Sequence, residues 1–214
     1  MVAITVVSII VGLLLIDLFV QFAEGWYANT VGSGGALALA GGGSVPLEGT
    51  LQFPEGLFLD RTHAWARLDP GGGWRIGVDG GLVRLLGGVD QVVVVSAGQT
   101  VREGDPLATV RQGLHLLTIR SPVGGKVIES NADISGARLA ESPYDAGWLC
   151  VVHSTALAAD TKRMLVGEDA ERWHRAEVAR IEEFLAGAAP DGRIGSLSEA
   201  DRSRFQRTFL DAAR

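Results

Sequence analysis

Cysteine is almost absent from this chain of 214 residues. Cys150 stands alone, which excludes a disulfide framework and a cysteine-based metal cluster. It follows Trp148-Leu149 in a strand-like run and reads as a small buried apolar residue. Lysine is nearly as scarce: Lys126 and Lys162 are the only two, and the other basic side chains are arginine. No Lys or Arg precedes Arg61. The net charge of -6 and a pI near 5.2 argue against a general nucleic-acid binder. The four histidines, His63, His115, His153 and His174, lack metal-ligand spacing and read as ordinary strand or helix residues. The glycine clusters form neither a dinucleotide fingerprint nor a P-loop. Ser121 precedes a proline and lacks the setting of a nucleophile elbow. Glu141 and Asp145, beside Tyr144, read as solvated loop residues. No catalytic constellation is left, so neither an enzyme activity nor a metal or cofactor is expected.

What the chain does have is one long apolar run at its start. Residues 2–20 are apolar apart from Thr5, Ser8 and Asp17. As a helix rising ~1.5 Å per residue the run spans about 30 Å, the thickness of a hydrocarbon core. Trp26 and Tyr27 follow where an aromatic interface belt belongs. The run has no basic leading region, exceeds a signal-peptide core in length and precedes no clear small-x-small site, so an uncleaved anchor is expected. A carboxylate inside a span marks function or a partner by default, but Asp17 is close enough to the end to reach interfacial water or a headgroup. Thr5 and Ser8 can bond back to carbonyls or join this helix to another. Residues 28–43 are uncharged and rich in Gly, Ala and Ser, as a linker is. Within it the apolar stretch 36–40, with Leu37 and Leu39, points to a docking surface.

Residues 57–152 read as strands. The runs 64–68, 74–78, 91–95, 107–110, 115–119, 126–129 and 148–152 are β-branched or aromatic, and Gly, Pro and Asp turns separate them. A short helix fits 80–86. Residues 160–185 change to helical spacing, and Gly187 and Pro190 stop that helix. A last helix opens at Ser196-Leu-Ser-Glu199, where Ser196 with Glu199 has capping-box spacing and Ser198 can cap instead. Phe205, Phe209 and Leu210 form its apolar face.

Several motifs then occur in order: Pro54-Glu-Gly-Leu-Phe58, His63-Ala-Trp65, Trp74-Arg-Ile-Gly-Val78, Leu86-Gly87, Gly98-Gln-Thr-Val-Arg-Glu-Gly-Asp105, Ser121-Pro-Val-Gly-Gly125, Asn131 and Pro143-Tyr-Asp-Ala-Gly-Trp-Leu149. Together they resemble the glycine-cleavage H protein, a specialised lipoyl domain. The resemblance implies a mainly β fold, a flattened lipoyl-type barrel or sandwich, ending in one helix. This chain is expected to have C-terminal helices, the second of them an addition that covers the barrel or docks on a partner. It also implies a hairpin whose tight turn presents a lysine that carries lipoate. Seven residues before Ser121, where the family places that lysine, this chain has Leu114, preceded by Arg111-Gln-Gly113. Leucine has no nitrogen with which to form the amide. Lys126 is close in sequence but lies beyond Ser121-Pro122 on the descending strand.

The expected organisation is a transmembrane anchor (1–27), a linker (28–53), the H-protein-like domain (54–152) and a helical extension (153–214). The expected function is a non-catalytic accessory or assembly subunit of a larger membrane complex, such as a respiratory or photosynthetic one. It would be single-pass in the cell membrane with its globular domain on the cytoplasmic face. Its partners would be integral membrane subunits and the lipid bilayer, met through Ser8, Asp17, Trp26, Tyr27, Leu37 and Leu39. Two alternatives stay open: a lipoyl carrier modified at an atypical lysine, and an adaptor of the efflux membrane-fusion type. Against the adaptor, only residues 111–119 separate the halves of the barrel, too few for the long helical hairpin such proteins insert.

Overall fold

Strands that are apolar on both faces must be covered on both, and this requirement organises the molecule. The computed structural model describes residues 53–211. Ten strands run in chain order: β1 (Phe58–Leu59), β2 (Ala64–Asp69), β3 (Gly73–Val78), β4 (Gln91–Val94), β5 (Thr100–Val101), β6 (Pro106–Gln112), β7 (His115–Arg120), β8 (Gly125–Ser130), β9 (Cys150–His153) and β10 (Leu165–Val166). They form an antiparallel seven-stranded sheet, β10-β1-β2-β3-β9-β8-β5, and an antiparallel three-stranded sheet, β4-β6-β7. One cluster of buried side chains draws on both sheets, with Trp74, Ile76 and Val152 from the first and Val92, Val110, Leu117 and Ile119 from the second. The fold is therefore the expected mainly β sandwich with C-terminal helices.

The other face of the large sheet carries a second cluster around Trp65, with Phe53, Leu57, Leu59 and Ala170. Trp65 is fully buried, and its indole N–H donates to the carbonyl of Pro143 at 3.0 Å. Its cross-strand partner is Gly77. Any Cβ there would overlap the indole ring, so glycine is required by the close approach.

Five helices complete the head: α1 (Gly80–Leu86), α2 (Gly136–Glu141), α3 (Leu157–Arg163), α4 (Glu168–Ala188) and α5 (Glu199–Phe205). Asp79 caps α1, accepting from the backbone N–H groups of Gly81 and Leu82, and Gly87 ends it at φ +80°. The single helix expected over 160–185 is two. Leu165–Val166 leaves the helical path to pair with β1, and Gly167 turns the chain back at φ +59°. Strand pairing there satisfies the backbone of β1, which helical spacing in the sequence does not register. Ser198, rather than Ser196, caps α5: its hydroxyl accepts from Asp201 N at 3.2 Å. Ser196 ends a 3-10 turn (Ile194–Ser196) and donates to Arg193 O.

Beyond α5 the helix widens to π turns over Gln206–Leu210. This segment lies along β7, the end strand of the small sheet. The Gln206 amide accepts from Thr118 N and donates to Thr118 O, both at 3.0 Å, much as a neighbouring strand would. Arg120 pairs with Asp211 at 2.7 Å. Phe205 and Phe209 are buried and stack against each other and Phe184. The C-terminal segment thus covers the barrel and closes a sheet edge. Among the described residues no helix is long and apolar enough to cross a membrane. The expected anchor, and the linker up to residue 52, lie outside those residues.

Gly77→Ala should destabilise the head by about 1–3 kcal/mol, the usual penalty for forcing volume into a packed core. Urea unfolding followed by tryptophan fluorescence measures it, and an unchanged midpoint would contradict the packing described for Trp65.

Candidate functional site

A two-residue turn, Gly113-Leu114, joins β6 to β7, with Gln112 and His115 as the last cross-strand pair. Gly113 takes φ +58° at the first turn position, as a II′ hairpin turn requires, and glycine does so at no steric cost. Leu114 follows at the tip and is 97% exposed, the most exposed large apolar side chain among the described residues. On the outward face below it, Leu116 is 60% exposed and Val93 54%.

The turn is held from both sides. Gly113 N donates to the Asp90 carboxylate at 2.5 Å. The Gln112 amide donates to Leu86 O at 2.8 Å and also to Gly88 O, at the C-terminal end of α1. His115 lies 3.4 Å from the carboxylate of Glu199, the first residue of α5. The hairpin therefore presents its apex on a fixed base. What it presents is hydrocarbon, with no atom able to form an amide or transfer a proton.

Neither lysine stands at a turn apex. Lys126 is within β8, between Thr100 on β5 and His153 on β9, and Lys162 is in α3. Ser8, Asp17, Trp26, Tyr27, Leu37 and Leu39, the contact residues expected from the sequence, lie outside the described residues. Glu141 and Asp145 are exposed or partly so, while Tyr144 beside them turns inward. Cys150 is buried in β9, and burial pushes its thiol up to about 12, which keeps it protonated. Among the described residues no group of three His, Cys, Asp or Glu side chains is placed to hold a metal ion. An open cleft of about 570 Å³ lies beside α1, lined by Arg84, Arg193, Glu141 and Tyr144 among others. Arg193 reaches across its edge to Gly87 O at 3.3 Å.

Two histidines read as ordinary from the sequence meet around one buried carboxylate. Asp79 is fully buried at the end of β3. His63 Nδ1 lies 3.1 Å from its Oδ2, and the Tyr144 hydroxyl donates to its Oδ1 at 3.0 Å. His174 Nε2 approaches Oδ1 to 2.7 Å, a short electrostatic contact rather than an aligned hydrogen bond, since that ring nitrogen has no properly directed partner. Tyr144 also accepts from Gly80 N at 3.0 Å. His63 reaches Asp79 from a left-handed backbone (φ +63°), unfavourable by on the order of 1–3 kcal/mol for a residue with a Cβ. A turn built on Asp60 holds it there: His63 N donates to Asp60 O, and Thr62 donates twice to the Asp60 carboxylate. Sequence spacing carries no signal of this cluster, because its members are brought together only by the fold. The one local cue is an Asp before Gly80-Gly81, a helix cap.

Burial by itself pushes the Asp79 carboxyl up, but the contacts and charges of His174 and His63 outweigh it and hold the group far below the usual carboxylate range. Burial, with the Asp79 charge and hydrogen bond adding to it, pushes the Tyr144 phenol well above its ordinary value, so it stays a donor. The folded-state value of Asp79 lies below its unfolded value of about 3.9. Its contribution to stability is therefore complete above about pH 5 and is lost as pH falls below about 4. Asp79→Asn should remove part of this acid dependence. At pH 7 it should lower stability by roughly 1–3 kcal/mol, because buried donors lose their charged acceptor. Urea unfolding at pH 7 and at about pH 2.5, well below the unfolded value, measures both, and parallel pH profiles for the two proteins would contradict the assignment.

Residues 57–177 match the family described as glycine cleavage H-protein. A glycine cleavage system H protein of Rubrobacter xylanophilus is 33% identical over 100 residues, 46% of this chain and 79% of that protein. A probable glycine cleavage system H protein of Pyrococcus abyssi is 28% identical over 127 residues, 58% of this chain and 92% of that protein. The crystal structure of a glycine cleavage system H protein from Mycobacterium marinum superposes with a TM-score of 0.51 at 25% identity, covering 57% of this chain and 99% of the other. The match runs from the strand that opens the large sheet into α4 and takes in more than half of the sequence, so the chain belongs to the glycine cleavage H-protein family.

Proposed function

We propose that this chain is a non-catalytic, membrane-anchored accessory subunit of a larger membrane complex, using an H-protein-like head that carries no lipoyl group. The observation that carries the reading is Leu114, 97% exposed at a fixed hairpin apex where the family resemblance places a lysine. A carrier must present an amine there. This apex presents a hydrocarbon tip above two further exposed apolar residues, which suits contact rather than group transfer. The apolar run of residues 2–20 supplies the anchor, and the uncharged segment 28–43 a stretch that rests against protein or lipid. The C-terminal segment, which continues beyond the family match at residue 177, closes the edge of β7 and adds surface beside the apex.

Main contacts with integral membrane subunits then come from the span and residues 25–45, including Ser8, Asp17, Trp26, Tyr27, Leu37 and Leu39, with the head adding a polar contact. The test is gentle detergent extraction, native purification and identification of co-purifying proteins. Ser8→Leu and a charged replacement at Leu37 or Leu39 should weaken co-purification at least severalfold, because interhelical hydrogen bonds worth about 0.6 kcal/mol each and apolar packing are lost together. Circular dichroism should show the head unchanged. A chain that is recovered alone from its native membrane contradicts the reading.

A further inference from the structure

Arg202 is a buried cation whose donors are only partly used. It is 3% exposed, and its Nη2 donates to Gly195 O at 3.2 Å and Leu197 O at 3.3 Å. Its Nε and Nη1 are buried without a hydrogen-bond partner. Unpaired donors on a buried guanidinium are unfavourable, and burial draws its pKa down from the usual arginine value. Arg202 lines a small surface pocket of about 210 Å³ with Leu116, Glu199, Ser203, Gln206 and Arg207. Arg207 is exposed, and no ion pair engages it among the described residues. Glu199 acts on Arg202 through space but does not bond to it; its carboxylate is 80% exposed and lies against His115 instead. Two arginines against one glutamate leave the pocket with one positive charge in excess.

Resting on the accessory-subunit reading, we propose that this pocket receives the carboxylate of an aspartate or glutamate side chain from a partner polypeptide, whose apolar neighbours lie on Leu116 and Leu114. The charge excess matches one monoanion. A carboxylate is planar, accepts from guanidinium N–H groups and fits the volume. A phosphate dianion would meet the Glu199 carboxylate at the rim. Leu116 lines the pocket, and Leu114 lies two residues away at the hairpin tip, so an acidic residue flanked by apolar ones engages both features. The head's polar contact is thereby located on the β7 side, at the C-terminal segment.

The test uses the full-length chain in detergent micelles, with the Arg202 Nε–H resonance as reporter. The probes are the capped peptides Gly-Leu-Glu-Leu-Gly and Gly-Leu-Gln-Leu-Gly. The glutamate peptide should shift the resonance saturably and bind about tenfold more tightly than the glutamine peptide, the difference expected for one hydrogen bond to a charged group. Arg207→Gln and Leu116→Ser, both at exposed positions, should each weaken it severalfold without changing the unfolding midpoint. Equal shifts from the two peptides, or no saturable shift, overturn the proposal. Inorganic phosphate saturating the signal at or below the peptide concentration also overturns it, in favour of a small-anion site. Peptide binding reads the pocket without any membrane partner, so it succeeds or fails separately from co-purification of the complex.

Discussion

A buried carboxylate must be neutralised or fully hydrogen-bonded, and Asp79 meets this demand by drawing in four separate parts of the chain. His63 comes from the turn before β2, Tyr144 from the loop before β9, His174 from α4, and two amides from the first turn of α1. Each contributor is fixed by the others, because removing one leaves the rest facing an unpaired charge in a dry interior. The result positions α1. The carbonyls at the far end of α1 then receive the Gln112 amide, which is the residue before the hairpin turn. A continuous line of contacts thus runs from the buried charge to the exposed apex.

The hairpin keeps its shape independently of the side chain at its tip. Leu114 is almost wholly in solvent and contributes nothing to the core. The turn is set by the positive φ of Gly113 and by the bonds of Gln112 and Gly113, none of which depends on the side chain at 114. A different side chain at 114 would change the chemistry of the tip without touching the core. The C-terminal segment works in the same direction, since it seals the edge of β7 and places Arg202 and Arg207 beside the hairpin.

The sheets and α1 were legible because their signals are local. Runs of β-branched or aromatic residues between Gly, Pro and Asp turns mark strands, and residues 80–86 suit a short helix. The motif residues acquire physical reasons in the structure: Trp65 needs Gly77 opposite it, and Asn131 pins the loop at Ala146 and Trp148 through its amide. The break between α3 and α4 was not legible, because Leu165–Val166 suits either a helix or an edge strand and only the presence of β1 decides it. The Asp79 cluster was illegible for a similar reason. His63 and His174 lie on either side of Asp79 at separations that no motif encodes. The apex was the opposite case: a position defined by its place in a hairpin could be found by counting, and the structure puts Leu114 at that turn.

On the proposed function the chain carries no lipoyl group at any lysine, and its intact mass reads this out. The chain would be purified from cells in which a lipoyl ligase modifies that host's own H protein. The expected mass is that of the unmodified sequence. A lipoyl increment on the chain, located by fragmentation to Lys126 or Lys162, would contradict it.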